Sequence, residues 1–179
     1  AYTFSSDPDT GIYSPGANVL GFGTNGTARM ELDGSGNIGI DTTPKVWAPN
    51  FRVLQISGTT AIAQNGYGDS YFSNNWYYDG ANARYISDDP INKYSQENGN
   101  HIWESAPSGT GGDIAVLTEN MRITNGGNVL IATSTDDGAN KLQVNGNIKA
   151  DKILVGAGTA AAPAYTFSSD PDTGIYSPG

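Results

Sequence analysis

Eight tight-turn dipeptides punctuate the chain. Asn-Gly stands at 25, 65, 98, 125 and 145, and Asp-Gly at 33, 79 and 137. These pairs accept the positive φ angles that two-residue hairpin turns demand. Spread over 179 residues, they leave room only for short strands between them. No segment carries helical periodicity over three turns with a cap and a stop. The stretch Glu119 to Ile123 is the best helix candidate, but it is too short, and its Met-x-Ile spacing suits a strand.

The segments between turns alternate. RMELDGSGNIGIDTT (29–43) aligns on MRITNGGNVLIATST (121–135), with Met30 over Met121, Leu32 over Ile123, Ile38 over Val129 and Ile40 over Ile131. LQISG (54–58) matches LQVNG (142–146). Apolar residues at every second position, then a Gly- and Asn-rich turn, then alternation again, are the period-two signature of a strand. The fold class expected is all-β.

Such strands need a core, and the aliphatic supply is thin. Val, Ile, Leu and Phe number 33 of 179, below the roughly 20% at which a chain struggles to bury enough surface alone. Ten Tyr and three Trp argue against disorder. Short strands also leave sheet edges open, and open edges invite pairing. A chain of this kind is expected to close its edges and pool its apolar residues with identical copies. The candidates for the shared axis are Ile38, Ile40, Leu54, Ile56, Val129, Ile131, Leu142 and Val144.

A repeat organises the whole chain. AYTFSSDPDTGIYSPG fills residues 1–16 and recurs without change at 164–179. Sixteen ungapped identities are read as one full unit followed by the first steps of the next, or as a piece cut from a longer fibre. Within the unit the composition changes once. Nine of the eighteen aromatics lie between Tyr67 and Trp103. The expected divisions are therefore a shaft-like β segment (1–50), an aromatic-rich β module (51–120), a second shaft-like segment with a linker (121–163), and the start of the next unit (164–179).

DPDTGIYSPGANVLGFGTNGTARMELDGSGNIGI, YYDGANARYISDDPINKYSQENGNHIWESAPSG and NKLQVNGNIKADK occur here in that order. Together they resemble the repeats of bacteriophage tail fibres, over nearly the whole chain. The resemblance implies an elongated, intertwined homotrimeric β-fibre that carries or forms the receptor-binding part of a virion. Trimeric adhesins of bacterial surfaces share this architecture and are the alternative. At Asp41-Thr42-Thr43-Pro44 the chain has Asp where that pattern usually has Gly.

Composition removes several function classes. Cysteine is absent, so disulfides, thiolate metal sites and cysteine nucleophiles are excluded. A net charge of −9 with nine scattered Lys and Arg offers no basic stripe to nucleic acid or to anionic membrane. No apolar run approaches the roughly twenty residues of a membrane span.

The motifs that could carry chemistry each have a plainer reading. Asp9-Thr10-Gly11, repeated at Asp172-Thr173-Gly174, matches the aspartic-protease triplet. Pro8 before it and Ile12 after it are the wrong context, and a turn built on Asp and Pro is expected instead. Asp33-Gly-Ser-Gly-Asn37 has the alternating oxygens of a calcium loop but Ile38 and Pro44 where Gly and Glu are required, so a hairpin turn is expected. His101 is the sole histidine. It is too few for a multi-histidine metal site, no Gly-x-Ser-x-Gly elbow accompanies it, and it is expected to be exposed or beside Trp103.

Asp69, Asp79, Asp88, Asp89, Glu97 and Glu104 interleave with the aromatics. They could cleave polysaccharide as a carboxylate pair, and are more simply turn formers and solvated side chains. Tyr67, Tyr71, Trp76, Tyr77, Tyr78, Tyr85 and Trp103 are candidates for carbohydrate or protein contact, because such rings offer large area at low entropic cost. Core packing is the competing role for each. No catalytic residue, metal site or cofactor is expected. The expected partners are identical copies and a host surface carbohydrate or protein, and the expected location is a virion tail or a bacterial cell surface.

Overall fold

The computed structural model describes residues 1–167, 169–175, 177 and 178. Ser168, Tyr176 and Gly179 of the sixteen-residue second copy lie outside the described residues. The chain divides into two units, Ala1–Gly146 and Asn147–Gly179. The boundary falls within the 121–163 segment. Among the described residues there is no helix, and so none long and apolar enough to cross a membrane.

In the first unit the strands are β1 (Tyr2–Phe4), β2 (Asp7–Tyr13), β3 (Leu20–Thr24), β4 (Thr27–Leu32), β5 (Ile38–Ile40), β6 (Arg52–Ile56), β7 (Thr60–Gln64) and β8 (Ser70–Asn74). They continue with β9 (Trp76–Tyr78), β10 (Ala83–Tyr85), β11 (Ile91–Glu97), β12 (Asn100–Ala106), β13 (Thr118–Ile123), β14 (Val129–Ile131) and β15 (Leu142–Val144). Thirteen of these form one sheet in chain order, with the β9–β10 hairpin left out and β8 pairing directly with β11. Every pairing is antiparallel except β5 with β6 and β14 with β15. The all-β class is therefore realised as a large mixed sheet of short strands.

The two sequence echoes are built alike. Met30 faces Ile40 and Leu32 faces Ile38 across β4 and β5; Met121 faces Ile131 and Ile123 faces Val129 across β13 and β14. A parallel strand follows in each, pairing Ile38 with Leu54 and Ile40 with Ile56, and Val129 with Leu142 and Ile131 with Val144. Asp41 and Ala132 end the second strands at φ 55° and 56°. Their amides bond to Arg29 O and Asn120 O at 2.8 and 3.0 Å. That left-handed backbone is why glycine would suit position 41.

The turns differ from the expectation of eight two-residue hairpins. Only Asn25-Gly26 and Asn98-Gly99 have positive φ at both residues. Three others lie in five-residue loops of one design, at 33–37, 65–69 and 124–128, which Asp33-Gly34 and Asn65-Gly66 open and in which Asn125-Gly126 stands second and third. The first residue's amide bonds to the last residue's carbonyl, and the fourth residue's amide bonds back to the first carbonyl. The side-chain oxygens of Asp33, Asn65 and Thr124 hold the interior, and Gly36, Gly68 and Gly127 take the positive φ. A second Gly or Asn three to four residues on diverts the chain from the tight turn.

The stretch Asp7 to Gly11 also departs from the turn expected of it, because it lies within β2. The turn sits at Ser5-Ser6. Register slips there, with Thr3 opposite Gly11 but Phe4 opposite Asp7. Pro8 is thus accommodated in a bulge, where a missing amide proton costs no ladder bond. A Cβ at Gly11 would come 2.1 Å from Tyr2 O, so only glycine permits this close approach.

The core lies on one face of the sheet. Val53, Ala61, Ala63, Tyr71, Ile91 and Ala106 point into it, and Trp47, Phe51, Trp76, Tyr85 and Ala115 cover them. Trp47, Phe51, Tyr71 and Trp76 meet with ring centroids 5.2–6.3 Å apart. The chain therefore owns a local interior, which the aliphatic count understated because four large rings carry it.

The opposite face is uncovered. Cross-strand partners share a face, and one apolar row runs from Leu32 through Ile38, Leu54, Ile62 and Phe72 to Tyr94. It continues through Trp103, Met121 and Ile131 to Val144. Phe72 is 56% exposed and Ile62 is 50% exposed, and no member of the row is buried.

The second unit repeats the opening hairpin. β16 (Tyr165–Phe167) and β17 (Asp170–Ile175) pair Tyr165 with Ile175 and Thr166 with Gly174, the register of Tyr2 with Ile12 and Thr3 with Gly11.

Candidate functional site

The aromatic residues singled out by sequence separate into three places. Tyr71, Trp76 and Tyr85 are buried in the core, and Tyr85 donates its hydroxyl to Pro107 O at 2.8 Å. Trp103 belongs to the uncovered row and packs on Tyr94 at 5.1 Å. Tyr67, Tyr71, Trp76 and Tyr78 converge on a cleft of about 360 Å³, together with Asn50, Phe51, Asn65, Ala83, Lys93, Glu97 and Leu117. Tyr77 is half-buried, edge-on to Trp47.

Each wall of the cleft has a local cause. Tyr67 stands at the centre of the 65–69 loop and is 85% exposed. Asn65 Oδ1 accepts the amides of Tyr67 and Asp69 at 2.9 and 3.0 Å. Its Nδ2 donates to Asp69 Oδ2 and to the Tyr71 hydroxyl. One amide side chain thereby fixes both the loop and the ring beneath it. Phe51 stacks on Tyr71 at 5.6 Å and tilts against Tyr78 at 5.8 Å.

Lys93 forms the floor. It is 8% exposed, and two carboxylates face it: Nζ lies 2.6 Å from Glu104 and 3.4 Å from Glu97. The ammonium also sits 5.1 Å from the ring centres of both Tyr71 and Trp76. A buried cation is tolerated only with such compensation. Burial first, then the charges of Glu97 and Asp69, push the Tyr71 hydroxyl well above its ordinary pKa, against the opposing bond from Asn65.

Most other carboxylates serve the scaffold. Asp79 binds Arg84 and the amides of Ala81 and Asn82, which hold it down to about pKa 2. Asp88 accepts the Gly111 amide. Asp9, in the protease-like triplet, is raised by hydrogen bonding with neighbouring Asp7. His101 is exposed and stacks on Tyr94 rather than Trp103, with Nδ1 2.5 Å from the Tyr94 hydroxyl. Among the described residues, no three His, Asp or Glu side chains gather to hold a metal ion.

The eight axis candidates form two patches on the uncovered face, each made of directly paired residues. The residues that bridge the patches, Ile62, Phe72, Tyr94 and Met121, escaped the sequence reading. In 60–74 both parities carry apolar or aromatic side chains, so period two cannot say which set faces the core. Trp47, Asn50 and Lys93 were missed because a lone residue in an irregular segment, or a lysine in a strand, gives no pattern.

No protein-family model and no curated protein matches the chain.

Proposed function

We propose that this chain is a structural and adhesive segment of a trimeric β-fibre of the bacteriophage tail type. On this reading three copies pack their uncovered sheet faces around a common axis, and the role is mechanical reach and multivalent attachment rather than catalysis. The single observation that carries the reading is the unbroken apolar row from Leu32 to Val144, which lies on one face and is left open by the chain's own core.

Exposure supports association. Phe72, Ile62 and Ile131 are 56%, 50% and 38% exposed, and the other seven side chains of the row are partly exposed; a contiguous open apolar stretch of this kind marks an interaction surface. The row itself carries no charge, so no like charges are brought into contact where two copies of it meet. The recurrence of the β1–β2 register in β16–β17 suits a chain that restarts the same unit along a rod, and repeated units multiply weak contacts.

The carboxylates agree with a non-catalytic role, since Asp69, Asp79, Asp88, Glu97 and Glu104 all have partners within the chain. A bacterial surface adhesin of the same architecture would assemble in the same way. The test is solution mass by light scattering. A value near three times 18.7 kDa is expected, and a stable folded monomer would refute the reading. Incubation with capsular polysaccharide should leave the polymer length unchanged; shortened products would favour a cleaving enzyme.

A further inference from the structure

We infer that the cleft between Tyr67 and Tyr78 is a binding site for an uncharged pyranose unit of a surface glycan. A pyranose presents a flat face of C–H bonds and a rim of hydroxyls, and it needs ring surface flanked by uncommitted polar groups. The cleft supplies both. Its volume of about 360 Å³ lies within the range of small-ligand sites. Tyr67 and Tyr78 come from separate elements, the 65–69 loop and β9, and Phe51 backs Tyr78.

The polar groups at the rim are free. Among the described residues, the Asn50 amide, the Tyr67 and Tyr78 hydroxyls and Glu97 Oε2 make no hydrogen bond within the chain, whereas Asn65 has spent all of its own on holding the loop. Glu97 is also fixed at its other oxygen by Lys93, so its free oxygen is presented without loss of freedom on binding. The tyrosines add contact area at small entropic cost.

Charge selects against acidic sugars. Of the residues that line the cleft only Lys93 and Glu97 are charged, and Lys93 is already held by Glu97 and Glu104, so no free cation awaits an acidic sugar, while the whole chain carries −9. A uronate or sialate would meet repulsion at close range. The cleft opens on the face that carries the core, away from the apolar row, so it stays free when that row is covered. This last step rests on the proposed fibre; the site itself does not.

The test titrates the full chain with maltohexaose, mannohexaose, chitohexaose and polygalacturonate, followed by saturation-transfer NMR, with light scattering on the same samples. At least one neutral oligosaccharide is expected to bind with Kd of ~1 mM or tighter per site. Tyr67→Ala should weaken it about tenfold. Tyr78→Phe and Asn50→Ala, which keep the packing, should each weaken it several-fold without changing mass or circular dichroism. Absence of neutral-sugar binding, preference for polygalacturonate, or undiminished binding by Tyr67→Ala would overturn the inference. A monomeric mass with sugar binding intact would defeat the fibre reading and support the site.

Discussion

Lys93 Nζ lies 2.6 Å from Glu104 Oε2, and the two residues are register partners across β11 and β12. Their strands thus place the charges together before any loop is fixed. Glu97, four residues along β11, reaches the same ammonium. Lys93→Met should strand two carboxylates near the aromatic core and cost about 3 kcal/mol in urea denaturation. Lys93→Met combined with Glu104→Gln should recover much of that loss. A single variant as stable as the parent would show that the pair contributes little.

The apolar row should govern assembly and leave the chain's own fold alone. Phe72→Asp and Ile131→Asp place charge on exposed positions, so each should reduce the scattering mass to that of one chain while the far-UV spectrum persists. Tyr67→Ala, on the other side, should not alter mass. Loss of the β signal together with mass would instead place these residues in a folding core.

Asp79 gives a pH signature. Arg84 and two backbone amides lower its pKa from 3.8 to about 2. Its contribution to stability is therefore complete above pH 3.8 and disappears as the pH falls through about 2. The slope of stability against pH between these values should flatten in Asp79→Asn. An unchanged slope would mean the Asp79–Arg84 contact is not maintained in solution.

Two neighbouring glycines should respond differently to alanine. Gly68 has φ +93°, and Gly68→Ala should cost ~1 kcal/mol through backbone strain. Gly66 has no positive φ and only ordinary contacts, the nearest 3.5 Å away at Asn50, so Gly66→Ala should be close to neutral. Equal melting temperatures for the two variants would contradict the loop geometry. Because Gly68 shapes the loop that carries Tyr67, its alanine variant should also bind sugar less well.

Much of the architecture was legible in the residues. The alternation in 29–40 and 121–131 marked strands, and the +91 offset between Met30 and Met121 marked two hairpins that fold with the same register. The loops were less legible. Asp33-Gly34 and Asn65-Gly66 carry the dipeptide of a tight turn, yet a second glycine two residues later provides the positive φ and enlarges the loop. The cleft was half legible, since four of its aromatics stood out by composition. Asn50, Asn65 and Lys93 did not: Asn65 acts through partners 2 to 6 residues on, Lys93 through a strand register, and Asn50 stands in an irregular segment that shows no pattern.

Sequence alone determined that the chain is made of short strands and glycine-pinned turns, since backbone preferences act over two to five residues and need no distant partner. It also marked the duplication of the hairpins and of the opening sixteen residues. Only the tertiary structure decided which parity of β7, β8 and β11 faces the core, because in those strands both sides carry apolar groups and the choice is made by what Trp47, Trp76 and Tyr85 cover. That choice leaves Ile62, Phe72 and Tyr94 on the uncovered face, joins the two aliphatic patches into one row, and leaves the tyrosine cleft on the other side.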